Sequence, residues 1–285
     1  MKLIQNSDTK ESKKGMKVKL KNSLDEYHQT IISNKQSYGL VIIWTLAFLF
    51  LSSNVYLLCQ KIKLNNANAM LLTELAITVV PIILDIFYIR YSNKSKNKSA
   101  KNKINVLSYI KNWIAYFTKA IKKHWQFLVI ATLIAVVIEI ITSIISIKLF
   151  GKVTTKNTNT NLIMQTIKAQ PLFILATLIL APVSEEITFR LGLTYVINSI
   201  FNLSKNVKSK LWLQKFAFVG ACFISACIFG SLHVQPDNNM QIMSQVLPLA
   251  ALGLWLQYLQ VKTKSIIPGI IIHILYNLIT LFFVL

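Results

Sequence analysis

Long apolar runs alternate with short, lysine-rich polar segments along the chain from about residue 40 onward. The runs cover 40–59, 70–91, 125–147, 171–201, 216–233, 243–261 and 266–285. Each is close to the ~20 residues that a helix needs to cross the hydrocarbon core of a bilayer. The pattern therefore predicts an all-α, polytopic transmembrane helix bundle of about seven spans.

Residues 104–121 differ from these runs, because apolar and basic positions are interleaved there. The apolar side chains recur at helical spacing, with lysines among and after them. They are Val106, Leu107, Ile110, Trp113, Ile114, Phe117 and Ile121. This spacing predicts an amphipathic helix that lies in the membrane interface, with an eighth span as the alternative.

The composition agrees with a membrane protein. Hydrophobic residues make up 54% of the chain and charged residues 14%, whereas an ordinary soluble domain carries roughly 25% charged residues. The formal charge is +21, which on a soluble protein would suggest nucleic-acid binding. Because most lysines lie between the apolar runs, we interpret this charge as attraction to anionic membrane lipids and expect no nucleic-acid partner.

The basic residues also predict an orientation. With seven spans, 24 of them fall on the side of the N-terminus and six on the other side. The positive-inside rule then places the N-terminus in the cytoplasm. Lysine in place of nearly all arginine, with abundant Asn and Ile, is typical of an AT-rich bacterial genome, so we expect a multi-pass protein of a bacterial cell membrane.

Polar groups inside the apolar runs are the candidates for chemistry, because a lipid-facing charge costs several kcal/mol. The densest group is Glu185, Glu186 and Arg190 in the fourth run. On a helix, Glu186 and Arg190 share a face, and Glu185 points roughly 100° away. The arginine fork can neutralise Glu186 through two hydrogen bonds and leave Glu185 free as a general base. A helix-locking charge cluster without chemistry is the alternative.

Two further polar groups lie in later runs. His233 follows Phe229 by four residues near the end of the fifth run, and His273 and Asn277 are four apart on the last. His273 and Asn277 can donate to a developing oxyanion, or they can simply join helices through hydrogen bonds. If these groups converge with Glu185, they provide a base, a partner for water and an oxyanion hole, which suffices to hydrolyse an amide.

These three groups resemble the motifs of the intramembrane CAAX-protease and bacteriocin-processing family, also called Abi proteins. The family's pattern is EExxxR, then FxxxH, then HxxxN or HxxxD, on successive C-terminal transmembrane helices. This chain carries the whole set in order, as Glu185-Glu186 with Arg190, Phe229 with His233, and His273 with Asn277. The ordered set is more specific than any one motif. It covers roughly residues 170–285, and nothing in 1–169 is assigned to it.

The resemblance implies a role for each motif residue. Glu185 would activate water and His233 would help to hold it, while His273 and Asn277 would stabilise the tetrahedral oxyanion. Three residues would support the site, namely Glu186 and Arg190 as a helix lock and Phe229 by packing. We expect no metal or other cofactor, since the two histidines lie on different helices, and zinc bound by one Glu and two His remains the alternative.

The sequence therefore predicts an intramembrane glutamic endopeptidase acting on a peptide or membrane protein, in bacteriocin self-immunity or in peptide processing. Residues 1–38 would form a polar basic cytoplasmic tail, 39–165 N-terminal transmembrane helices with a basic loop, and 166–285 the catalytic core. One alternative is a non-catalytic membrane immunity or binding protein. The other is a small transporter that uses Glu74, Asp85 and Glu139 as relay groups, although the sequence contains no inverted repeat.

Overall fold

The computed structural model describes residues 35–96, 106–151, 158–234 and 239–284, and every regular element in these ranges is helical. The prediction of an all-α polytopic bundle is confirmed. The predicted tail 1–38 lies almost entirely outside the described residues, as does part of the basic loop. The first four helices are α1 (Lys35–Lys61), α2 (Asn66–Lys96), α3 (Val106–Phe150) and α4 (Thr158–Ala169).

The second half begins with one continuous helical stretch, residues 173–201, which we call the composite helix. It consists of α5 (Phe173–Leu175), π1 (Ala176–Leu180), α6 (Ala181–Glu185), π2 (Glu186–Leu193) and α7 (Thr194–Phe201). The remaining helices are α8 (Lys205–Ser209), α9 (Leu211–Leu232), α10 (Asn239–Thr263) and α11 (Ile267–Val284). The motif residues lie on the composite helix, on α9 with its C-cap residue His233, and on α11.

Several helices present apolar side chains on their outer surface, as helices in contact with lipid do. Within the described ranges, four helical stretches are long and apolar enough to cross a membrane: Ile42–Lys61, Asn66–Leu84, Phe117–Phe150 and Leu211–Leu232. A further apolar helix, Ile267–Phe283, is shorter. The predicted number of spans and their orientation stay predictions.

The largest buried cluster joins α3, α10 and α11. Small residues of α3, Ala131 and Ala135, pack against Leu256 of α10 and Ile272 of α11. Side chains this small allow helix backbones to approach closely inside a membrane. The indole Nε1 of Trp255 donates to the carbonyl of Ala131 at 3.0 Å, which fixes α10 against α3. This packing holds α11, and with it the last motif.

The predicted helix over 104–121 is present as the first half of α3, and its location in the membrane interface stays a prediction. Residues 106–150 consist of two helices that meet at a kink, where His124 has non-helical backbone angles (φ −130°, ψ 21°). The kink lies between the predicted amphipathic stretch and the predicted third span, beside Lys122 and Lys123. Periodicity located the two halves correctly, but it could not show that the backbone continues through the basic junction.

The polar segment 151–170 is rich in Thr and Asn, which predicts an external connector, but this prediction is wrong in part because residues 158–169 form α4. Thr and Asn residues suggested a loop there, but tertiary contacts stabilise a helix. The hydroxyl of Thr166 contacts Met70 Sδ at 3.4 Å, and the amide of Gln170, just after α4, donates to Asn68 Oδ1 at 2.7 Å. These contacts tie α2 to the entrance of the composite helix.

The two π stretches in the composite helix were not predicted, and Pro182 supplies a physical reason for π1. Ala181 donates to the carbonyl of Ala176, five residues earlier, and Pro182 has no N–H for the next carbonyl in that pattern. The carbonyl of Thr177 is instead hydrogen-bonded by Nδ2 of Asn277 at 3.3 Å. Wide turns of this kind are common at functional sites, and here they lie on both sides of Glu185.

Candidate active site

The carboxylate of Glu185, the last residue of α6, lies between two histidine side chains. Its Oε1 is 3.4 Å from Nε2 of His233, and its Oε2 is 3.7 Å from Nε2 of His273. The three residues come from the composite helix, from the C-cap of α9 and from α11. Residues far apart in sequence thus converge at one point inside the bundle.

This group can be reached by solvent on one side only. The side chains of His233 and Glu185 are 24% and 13% exposed, whereas His273 is 4% exposed. Glu186 and Arg190, which lie behind His273, are 1% exposed each. A water molecule or a substrate can therefore approach Glu185 from the side of His233, while the other side is sealed by protein.

Each imidazole is oriented by a partner on its Nδ1 atom. Nδ1 of His233 donates to the carbonyl of Phe229 at 2.8 Å, and Nδ1 of His273 lies 3.0 Å from Oε1 of Glu186. A carbonyl and a carboxylate only accept hydrogen bonds, so they select the tautomer protonated at Nδ1. In a neutral ring, Nε2 then carries a lone pair, whereas in a doubly protonated ring Nε2–H donates to Glu185.

Behind His273 lies the buried pair of Glu186 and Arg190. Nε of Arg190 is 3.4 Å from Oε2 of Glu186, so the predicted (i, i+4) ion pair is present. The two predicted hydrogen bonds are absent, because among the described residues Nε, Nη1 and Nη2 all lack a hydrogen-bond partner. The guanidinium carbon lies 4.5 Å from the centre of the Phe229 ring.

Phe229 is the packing centre of the site. Its ring is 1% exposed and contacts the rings of Phe189, His233 and His273, with centroid separations of 5.4, 4.5 and 6.1 Å. Together with the cation–π contact to Arg190, these contacts fix both imidazoles in position. The location of Phe229 agrees with the packing role that the resemblance implies.

Asn277 is oriented differently from the other motif residues. One of its amide hydrogens is used by the carbonyl of Thr177, which π1 and Pro182 leave without a backbone donor. This contact joins α11 to the composite helix, as the interhelical alternative predicts. The amide group has a second N–H, so one donor remains for an oxyanion. The structure gives no contact between Asn277 and Glu185.

Glu74 of α2 also belongs to this neighbourhood, although the sequence placed it only in the transporter alternative. The charges of Glu185 and His233 both act on its carboxyl. Glu139 lies elsewhere, where its carboxyl interacts with the hydroxyl of Tyr276. The side chain of Asp85 is outside the described part of the structure. An acidic residue inside an apolar run was the available signal for Glu74, but no motif linked it to Glu185.

A zinc site would require at least three suitable donor side chains placed around one point. Within residues 35–96, 106–151, 158–234 and 239–284, no group of three His, Cys, Asp or Glu side chains is placed to hold a metal ion. The described cysteines are free, with Cys59 and Cys222 buried and Cys227 partly buried.

Comparison with known proteins identifies a family for the part of the chain that builds this site. Residues 167–279 match the family described as type II CAAX prenyl endopeptidase, Rce1-like. No curated protein and no solved structure matches the chain. The matched range contains the double glutamate, both histidines and Asn277, and α2 lies outside it. The match covers 113 of the 285 residues, and through these residues the chain is similar to the Rce1-like CAAX proteases.

Proposed function

We propose that this protein is an intramembrane endopeptidase in which Glu185 activates a water molecule for attack on a peptide bond. The observation that carries the proposal is the position of the Glu185 carboxylate, between Nε2 of His233 and Nε2 of His273. A carboxylate flanked by two ring nitrogens, open to solvent on one side, can bind and deprotonate a single water. General-base catalysis of this kind contributes about 10²- to 10⁴-fold in rate.

The hydrogen-bond partners suggest how the water is oriented. Because Nδ1 of His233 donates to Phe229, the Nε2 atom of the neutral ring accepts a hydrogen bond. A water donating one hydrogen to Glu185 and the other to His233 directs a lone pair outward, towards a substrate carbonyl. Glu185 takes the first proton as the oxygen–carbon bond forms. His233 is therefore the residue that positions the water, as the family resemblance implies.

The second histidine is placed to respond to the negative charge of the tetrahedral intermediate. If His273 enters the reaction with protons on both ring nitrogens, Nδ1–H donates to Glu186 and Nε2–H is a donor on the side of Glu185. Glu186 stabilises that imidazolium in the way that a buried carboxylate orients and supports a catalytic histidine. The free N–H of Asn277, one helical turn further along α11, is the second donor that we assign to the oxyanion.

The same groups argue against the two alternative functions. A residue that only joins helices needs contacts with them, but it does not need two imidazole Nε2 atoms within 3.7 Å of a partly exposed carboxylate. The transporter alternative requires acidic relay groups that lead across the bilayer. Glu139 instead interacts with Tyr276, and Glu74 lies within the electrostatic range of Glu185.

The family description extends the proposal to a substrate class. A type II CAAX prenyl endopeptidase acts on prenylated chains that end in a CAAX sequence, so we propose a lipid-modified or membrane-bound peptide as substrate. Bacteriocin self-immunity and peptide processing are the physiological roles that we propose on the resemblance. We also propose a bacterial cell-membrane location with many spans and a cytoplasmic N-terminus, because of the distribution of lysines.

The test uses the full chain reconstituted in lipid nanodiscs. The probes are a farnesylated synthetic peptide with a C-terminal CAAX sequence and its unprenylated counterpart, and mass spectrometry identifies the products. We expect wild type to hydrolyse one peptide bond of the farnesylated probe, and Glu185→Gln to lower the rate by at least about 100-fold. Glu139→Gln is the matched control, since it neutralises a membrane carboxyl away from the site, and it should retain the activity.

The outcomes separate the proposal from its rivals. Thermal unfolding must show that Glu185→Gln is folded, so that a loss of cleavage reports chemistry rather than misfolding. A binding protein would leave both peptides intact while holding them. Cleavage by Glu185→Gln at the wild-type rate would show that this carboxylate is not the base.

A further inference from the structure

Glu74 is a carboxyl group that the family match does not cover and that the mechanism above does not use. It lies on α2, inside an apolar stretch that is long enough to cross a membrane, and its side chain is half-buried. Among the described residues, it forms no hydrogen bond or ion pair. A membrane carboxyl without a partner is costly if it is charged, so its position needs an explanation.

The packing of α2 directs Glu74 towards the composite helix. One turn further along, Thr78 donates to the carbonyl of Leu180 at 3.4 Å, and residues four apart share a helix face. One and a half turns earlier, Asn68 accepts from Gln170. Glu74 thus lies between two contacts that join α2 to the helical segment ending at Glu185.

The electrostatic surroundings connect Glu74 to the reacting groups. The charges of Glu185 and His233 act on its carboxyl directly. Arg190 is paired with Glu186 on the sealed side of His273. Two carboxyls that share a partly buried site do not both ionise readily, and one of them then holds a proton. Such pairs divide the roles of acid and base between them.

We propose that Glu74 holds this proton and donates it to the nitrogen of the leaving amine during peptide hydrolysis. Glu185 takes a proton from water as the hydroxyl oxygen bonds to the carbonyl carbon. The carbon–nitrogen bond then breaks, the nitrogen keeps the bonding pair, and it receives the proton of Glu74. The proton on Glu185 passes to Glu74 and restores both groups, so one water is consumed and one amine and one carboxylic acid are released.

This assignment rests on the proposed endopeptidase function. It predicts a difference between amide and ester substrates that a purely structural role of Glu74 would not produce. An alcohol leaves from an ester without prior protonation far more easily than an amine leaves from an amide. Loss of an acid should therefore slow amide cleavage much more than ester cleavage. Loss of the base Glu185 should slow both.

The experiment compares the farnesylated CAAX peptide with its analogue in which an ester replaces the scissile amide. In nanodiscs, we expect Glu74→Gln to lower kcat/KM for the amide by about 100-fold and for the ester by less than about 10-fold. Glu185→Gln should lower both, and Glu139→Gln should lower neither. Equal losses on amide and ester in Glu74→Gln, or no loss on either, would overturn the donor role.

A second measurement does not depend on activity. Infrared difference spectra at neutral pH, wild type minus Glu74→Gln, should contain the carbonyl stretch of a protonated carboxylic acid. If that band is missing, Glu74 is ionised and the proposal is wrong, whatever the enzyme cleaves. If the band is present but wild type cleaves neither probe, the proposed function fails and the donor role fails with it, whereas the proton on Glu74 stands.

Discussion

Replacing Arg190 by Met leaves the buried carboxylate of Glu186 without its guanidinium partner. Both side chains are 1% exposed, so water cannot take over the role of the lost group. Methionine keeps much of the side-chain volume, and the effect is therefore one of charge rather than of a cavity. The change leaves Glu185 and the contact of His233 with Phe229 in place.

The expected cost follows from the burial of the pair. Removing one partner of a buried ion pair destabilises a protein by about 3–5 kcal/mol, because the other charge is left uncompensated. For Arg190→Met we expect a loss of stability near the lower end of this range. The reason is that Nδ1 of His273 stays 3.0 Å from Glu186 and can offset part of the charge of that carboxylate. Glu186→Gln should cost about as much, because it leaves the Arg190 guanidinium buried with no carboxylate partner.

The double variant Arg190→Met/Glu186→Gln removes both charges together. Replacing a whole buried pair by neutral groups is often close to neutral in free energy. We therefore expect the double variant to be no less stable than either single variant. The sum of the two single losses of unfolding free energy should exceed the loss in the double variant by roughly 3 kcal/mol or more. This difference is the coupling energy of the pair.

The assay is equilibrium unfolding of the purified chain in mixed micelles with increasing SDS, followed by tryptophan fluorescence and circular dichroism. Lys119→Met is the control, because Lys119 is exposed on α3, and it should change the free energy of unfolding by less than about 0.5 kcal/mol. Additive losses in the double variant would refute the argument, since they would mean that the two groups stabilise the fold independently.

Two further predictions concern packing and metal dependence. Gly230→Ala should destabilise the protein by about 1–3 kcal/mol, because a Cβ atom there would lie 2.7 Å from the carbonyl oxygen of Val246. Gly220→Ala should be tolerated, since its nearest contact would be 3.5 Å, from Phe201. The two unfolding curves test this, and equal losses would contradict it. Separately, peptide cleavage should survive prolonged treatment with 1,10-phenanthroline, and inactivation that zinc reverses would restore the metal alternative.

The apolar runs predicted the helices well, because a bilayer imposes a length and a hydrophobicity that the sequence displays directly. The predictions failed where tertiary contacts or local backbone angles, rather than hydrophobicity, determine the secondary structure. Residues 158–169 became helical through contacts such as Gln170 with Asn68, which no local pattern contains. At His124 the backbone angles are non-helical, and the periodicity of apolar residues did not show that the helices on either side would meet in a kink there.

The site shows the same division between local and long-range information. The spacing of Glu186 and Arg190 predicted their ion pair, since both lie on one helix. The convergence of Glu185 with two histidines depends on three helices, and only the resemblance suggested it. The contact of Asn277 with Thr177 follows from the π turn at Pro182, and that turn has no signature in a hydrophobicity pattern.

The most direct test asks whether Glu185, His233 and His273 act on the same water. Side chains that act as one unit give strongly non-additive losses, so removing one costs about as much as removing all. We would measure kcat/KM for the farnesylated CAAX peptide with Glu185→Gln, His233→Ala, His273→Ala and the triple variant. We predict that the triple variant is no slower than Glu185→Gln within about threefold. Losses that multiply across the three positions would contradict a single shared water.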